Sequence, residues 1–100
     1  MSSYSTICDA IAKKRLIQFT YKDRMRVVEP FMVAQNDAEH YALSAWFVRG
    51  ASESHSPPGW REYLLSDITD VIILDESFSG QRPGYKPSGG EVFHHVVCRI

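Results

Sequence analysis

The side chains that could do chemistry in this 100-residue chain are four histidines, two cysteines, scattered carboxylates and a few arginines set among aromatic rings. His40, His55, His94 and His95, taken with Cys8 and Cys98, contain no pair at a zinc-ligand spacing such as C-x₂-C or H-x₃₋₅-H. Adjacent His94 and His95 would leave a strand on opposite faces and so cannot share one ion. No G-x-S-x-G elbow activates a serine, and "SGG" at Ser88 to Gly90 lacks that context. The stretch "PSGGE" has neither of the glycine spacings that cradle phosphates. Asp67, Asp70, Asp75 and Glu76 are more simply a solvated strand edge than an acid–base pair. An enzymatic role therefore ranks below a binding role, with no cofactor and no metal implied.

The arginine and aromatic residues stand out more. Arg26 opens one apolar strand, Ser44 and Trp46 share a face of the next, and Arg61 and Tyr63 share a face of a third. A guanidinium beside an aromatic ring can grip a phosphate, a carboxylate or a stacked base. These five residues are the candidate ligand-binding set. The plainer alternative is that Arg26 and Arg61 pair with Glu29, Glu62 or other surface acids while Trp46 and Tyr63 fill the core.

The elements that must position them can be read from periodicity and turn chemistry. Ser5 or Thr6 can cap a helix that places Ile7, Ala10 and Ile11 on one face, with Lys13, Lys14 and Arg15 complementing the dipole of its last turn. "LIQFTY" alternates as a half-buried strand, "KDR" is a tight turn, and "MRVVEPFMVAQ" is a second strand. Its Pro30 cannot donate to a ladder, which demands an edge, a bulge or a bend at Glu29–Pro30. "NDAE" turns the chain into "YALSAWF", in which Tyr41, Leu43, Ala45 and Phe47 form the uniformly apolar side and are expected in the core. "GASESHSPPG" reads as a protruding loop, "WREYLL" and "TDVIILD" as two strands around the turn "SDI", and "VFHHVVCRI" as a last strand. The predicted outline is a helix over about 5–15, five strands over about 16–78, an irregular tail over 79–90 and a strand over about 91–100.

Composition agrees with one small domain. The chain is 44% hydrophobic and 23% charged, with a net charge of −1, which is ordinary for a globular protein and gives no overall basic footprint for nucleic acid. Cations are concentrated before Pro30 and acids between Asp37 and Glu76. No apolar run approaches a membrane span. "MSSYSTICDA" lacks the plan of a secretory signal, so the expected location is cytoplasmic. Two cysteines in that setting are expected as reduced thiols, and a bridge between residues so far apart requires the ends of a barrel to meet.

The order of these pieces resembles the WYL-domain family. "ICDAIAKKRLIQFTYKDRMRVVEPFMV", then "YALSAW", then "WREYLLSDITDVIILDESF" follow that family's helix, its apolar strand ending in Tyr, its "R-x-V-x-P" strand, its "WYL-x-A-aromatic" strand and its "R-x-F … I-x-x-V" segment. The likeness covers residues 6–78. It implies an α+β fold that is mainly β: one N-terminal helix on a small Sm-like antiparallel β-barrel of five to six strands. It also implies a non-enzymatic sensor or effector-binding module whose Arg, Tyr and Ser face takes nucleic acid or a nucleotide-like anion.

Carried over by position, Arg26 matches the arginine before V-x-P, and Arg61 and Tyr63 match the "R-x-F" pair. The name-giving triplet falls on Tyr41, Ala42 and Leu43, so its phenol is missing at Ala42. Leu64 and Asp67 occupy positions that are often basic in the family, and each lost cation removes a phosphate contact. The chain looks like a stand-alone version with a "GW" strand and an "R-P-G-Y" tail, Arg82 to Tyr85. The expected partners are a nucleotide or single-stranded nucleic acid, no membrane, and a second copy of the chain in a homo-oligomer. The alternative readings are a protein-interaction subunit that borrows a DNA-binding domain from its partner and, below it, a small hydrolase.

Overall fold

A computed structural model describes residues 4–36, 38–50, 58–84 and 95–100. The expected loop tip at 51–57, with His55, and the segment 85–94, with Tyr85, Ser88 to Gly90 and His94, lie outside the described residues.

The chain starts with helix α1, Tyr4–Lys13, which buries Ile7, Ala10 and Ile11 along one stripe. Spacing of three and four residues puts these side chains on one face. The helix stops two residues earlier than its charge pattern suggests. Lys14 adopts φ 54°, its N–H bonds the Ile11 carbonyl at 3.1 Å, and Arg15 already belongs to β1, Arg15–Tyr21. Only Lys13 of the three cations is therefore in the last helical turn. Ser5 and Thr6 lie inside the helix rather than capping it.

Lys22 and Asp23, with φ of 52° and 64°, form the two-residue turn between β1 and β2, Arg24–Gln35. Two left-handed residues match the twist of a tight hairpin. The turn fixes the register, with Tyr21 opposite Arg24 and Phe19 opposite Arg26. β2 is the hub of the sheet. It pairs with β3, Tyr41–Gly50, along one edge. Along the other edge it pairs with β1 over its first part and with β6, His95–Arg99, over its last. Pro30 lies between those two stretches, and the β2–β3 register shifts between Pro30 and Met32. The disturbance expected at Glu29–Pro30 thus takes the form of a bulge.

β4, Gly59–Leu64, pairs with β3. A short 3₁₀ turn, Leu65–Asp67, leads into β5, Ile68–Ser77, which pairs with β1. All pairings are antiparallel, in the order β4-β3-β2-β1-β5 with β6 on β2. The hydrogen-bonded path ends at β4 and β5, so this is an open six-stranded sheet rather than one closed by its ladders. It nevertheless curls. Tyr63 on β4 meets Phe19 and Tyr21 on β1 with ring centres 5.1 and 4.9 Å apart.

Opposed residues of an antiparallel pair share a face, which sorts the sheet into two sides. Ile17, Phe19, Val28, Val33, Leu43, Ala45, Phe47 and Tyr63 line the inner side with Ile7, Ala10 and Ile11 of the helix. Leu43, Ala45 and Phe47 are where alternation predicts. Tyr41 is not. It is 45% exposed, because its partner Gln35 is on the last rung of the ladder and β4 begins pairing only at Ala42.

The thiols also depart from expectation. Cys8 on α1 and Cys98 on β6 form a disulfide with a Cα separation of 5.8 Å. α1 packs on both β2 and β6, so the strand that closes the chain returns beside the helix that opens it. Tertiary pairing brings together two residues separated by 90 positions. Among the described residues, no helix is long and apolar enough to cross a membrane.

Candidate functional site

The candidate site is built on the hairpin end of β1 and β2. Phe19, Tyr21 and Tyr63 project inward and meet edge to face, with interplanar angles of 82°, 78° and 81°. Such contacts place the positive edge of one ring on the negative face of the next. The Tyr21 hydroxyl is used by the fold, accepting the Leu64 N–H at 3.2 Å. The Tyr63 hydroxyl is not.

Arg26 enters this cluster because the two-residue turn sets it opposite Phe19. Its guanidinium carbon lies 5.7 Å from the centre of the Tyr21 ring and 6.0 Å from that of Tyr63. Lys22 adds a second cation 5.6 Å from the Tyr21 ring. Arg61 comes from β4, opposite Ala45, with its guanidinium 5.5 Å from the Phe47 ring and an Nη1–H donated to the Trp60 carbonyl at 3.0 Å. Phe47 and Tyr63 both belong to the inner cluster, so the two arginines approach the same aromatic floor from β2 and β4.

Tyr63 is 2% exposed. Burial pushes its phenol above the ordinary tyrosine range, and the positive charges of Arg26 and Arg61 pull it back part of the way. Its Oη and the Nε of Arg26 are both buried, and neither completes a well-aligned hydrogen bond among the described residues, although the Arg26 side chain stands close enough to donate to the phenol and lower its pKa. Buried polar atoms are normally satisfied, and leaving one unpaired costs about 1–3 kcal/mol. The Arg26 and Arg61 guanidiniums, flanking the Tyr63 phenol, carry donors of the kind that hold the oxygens of a phosphate or carboxylate.

Of the five candidates, Arg26, Arg61 and Tyr63 converge here. Ser44 and Trp46 do not. They stand opposite Glu62 and Trp60 on the outer side of the sheet, where Trp46 is half-buried beneath Arg82, whose guanidinium carbon lies 4.7 Å from its ring centre. Glu29, offered above as a mate for Arg26 or Arg61, instead holds Arg82 in a two-pronged ion pair.

Tyr21 and Lys22 are the site residues that sequence reasoning passed over. The signal was present, because a two-residue turn at "KD" sets Tyr21 beside the arginines of the opposing strand. Among the described residues no three His, Cys, Asp or Glu side chains gather to hold a metal. No protein-family model, characterised protein or solved structure matches the chain.

Proposed function

We propose that the protein is a non-enzymatic binding module that recognises an anionic ligand, of nucleotide or single-stranded nucleic-acid character, at the Arg26, Arg61 and Tyr63 cluster. The observation that carries this reading is the convergence of Arg26 and Arg61 on the buried Tyr63 phenol, with the Arg26 Nε buried and unpaired among the described residues. A core built only for stability would place apolar atoms there or pair the polar ones. The aromatic floor adds a surface on which a base can stack, and stacking is tolerant of base identity.

The WYL-like, Sm-like barrel is part of the same proposal. Its support is the curl that brings Tyr63 of β4 against Tyr21 of β1, together with the matching positions of Arg26, Arg61 and Tyr63. A regulatory role is part of the same proposal and rests on the family likeness. The Cys8–Cys98 bond argues for a setting oxidising enough to keep it, which weighs against the cytoplasmic location expected from the sequence.

The reading is tested by thermal-shift and fluorescence titrations with mononucleotides and short single-stranded oligonucleotides, on the native protein and on the Arg26→Ala/Arg61→Ala double variant. Both arginines are only partly buried, so the variant should stay folded and lose binding. Equal binding by the two proteins removes the assignment.

A further inference from the structure

The outer side of the sheet carries a second constellation, independent of the Arg26 cluster. Glu29 on β2 is 6% exposed, and its carboxylate accepts Nε–H of Arg82 at 2.8 Å and Nη2–H at 2.6 Å. The carbon of the same guanidinium sits over Trp46, 4.7 Å from its ring centre. Trp60, packed edge to face on Trp46 at 5.6 Å, donates its indole N–H to the carbonyl of Pro83, the next residue along. Gly84, at φ 84°, then continues the chain beside the Trp60 indole.

We propose that Glu29, Trp46 and Trp60 form a recognition slot for an arginine–proline peptide of a partner protein, and that the chain's own Arg82, Pro83 and Gly84 occupy it in cis. A structural ion pair needs only a carboxylate and a cation. Here three separate groups read the fork of the guanidinium, its face and the backbone carbonyl that follows, as a site for an extended peptide does. The arginine comes from no strand. It belongs to an irregular segment after β5, and its side chain remains 36% exposed, so exchanging Arg82 for another arginine breaks no strand pairing among the described residues. A carboxylate as buried as Glu29 is costly to leave unpaired. The slot therefore exchanges one arginine for another rather than standing empty.

The probe is the peptide acetyl-Arg-Pro-Gly-amide, titrated by calorimetry into the native protein and into Arg82→Ala. A tethered segment competes at an effective concentration on the order of millimolar, so the variant should bind the peptide about tenfold or more tightly than the native protein does. The lysine analogue of the peptide should bind several-fold more weakly, and adding Glu29→Gln to Arg82→Ala should abolish binding. Should Arg82→Ala not fold alone, millimolar peptide should restore its folded signal and should shift the Trp60 indole N–H resonance of the native protein. Binding to Arg82→Ala no tighter than to the native protein overturns the proposal. So does equal affinity for the lysine peptide, or, for an unfolded variant, neither rescue nor shift.

Discussion

The hydroxyl of Tyr21 on β1 accepts the backbone N–H of Leu64 on β4 at 3.2 Å, joining two strands that stand apart in the ladder order. The bond acts as a clasp at the point where the sheet turns back on itself and where Tyr21 and Tyr63 meet ring to ring. Tyr21→Phe keeps the ring and removes the acceptor, leaving a partly buried N–H unpaired. The expected loss of stability is about 1 kcal/mol, read as a lower urea midpoint with an unchanged slope.

Gly50 is the other tight point of this end of the sheet. It pairs with Arg26, and a Cβ built there would lie 2.5 Å from the carbonyl oxygen of Met25 and 3.1 Å from Cα of Arg26. Both are backbone atoms, so no side chain can swing aside. Gly50→Ala should push β3 away from the start of β2 and cost about 1–3 kcal/mol. Because Arg26 moves with its strand, the same variant should weaken ligand binding. A variant with native stability and native affinity would show that the two backbones do not approach this closely.

Much of this arrangement was legible in the chain. Alternation in "LIQFTY" and "YALSAWF" assigns Phe19, Leu43, Ala45 and Phe47 to the inner side, whereas the turn expected at "KDR" is one residue shorter, Lys22–Asp23, and only that shorter turn brings Arg26 opposite Phe19. What alternation cannot supply is the identity of non-sequential neighbours. That β6 runs along β2, and so sets Cys98 beside Cys8, depends on packing against α1 rather than on any local pattern. Tyr41 failed for a related reason: it has the right parity for the core but lies past the end of β4, and parity says nothing about where a neighbouring strand stops. Trp46 was rightly placed away from the core side. Its covering by Arg82, 36 positions later, has no signature short of the fold itself.

The disulfide closes nearly the whole chain. A cross-link of that span removes conformational entropy from the unfolded state worth about 4–5 kcal/mol. It also ties β6, a strand that among the described residues pairs with the sheet only along β2, to the first helix. Reduction with a dithiol, or Cys98→Ser, should lower stability by about that amount. Hydrogen exchange should report it first at Met32 to Gln35, the part of β2 that pairs with β6. Equal protection in the oxidised and reduced protein would show that β6 is held by its ladder alone.

Tyr63 should leave its mark on the alkaline side of the stability profile. Burial raises its phenol above the reference value of 10.0, against the opposing pull of Arg26 and Arg61. Between that value and the higher native one, the folded protein keeps a proton that the unfolded chain has released. Stability from this group is therefore complete below the unfolded pKa and is lost as pH rises through the folded pKa. Tyr63→Phe abolishes this linkage, so its denaturation midpoint should fall less steeply with alkali than that of the native protein. Titration of phenolate absorbance should show one tyrosine above the ordinary range in the native protein and none at that position in the variant. An anion bound between the two arginines screens the charges that hold the phenol down. Saturating ligand should therefore move the Tyr63 titration further upward, whereas a downward movement would place the anion elsewhere.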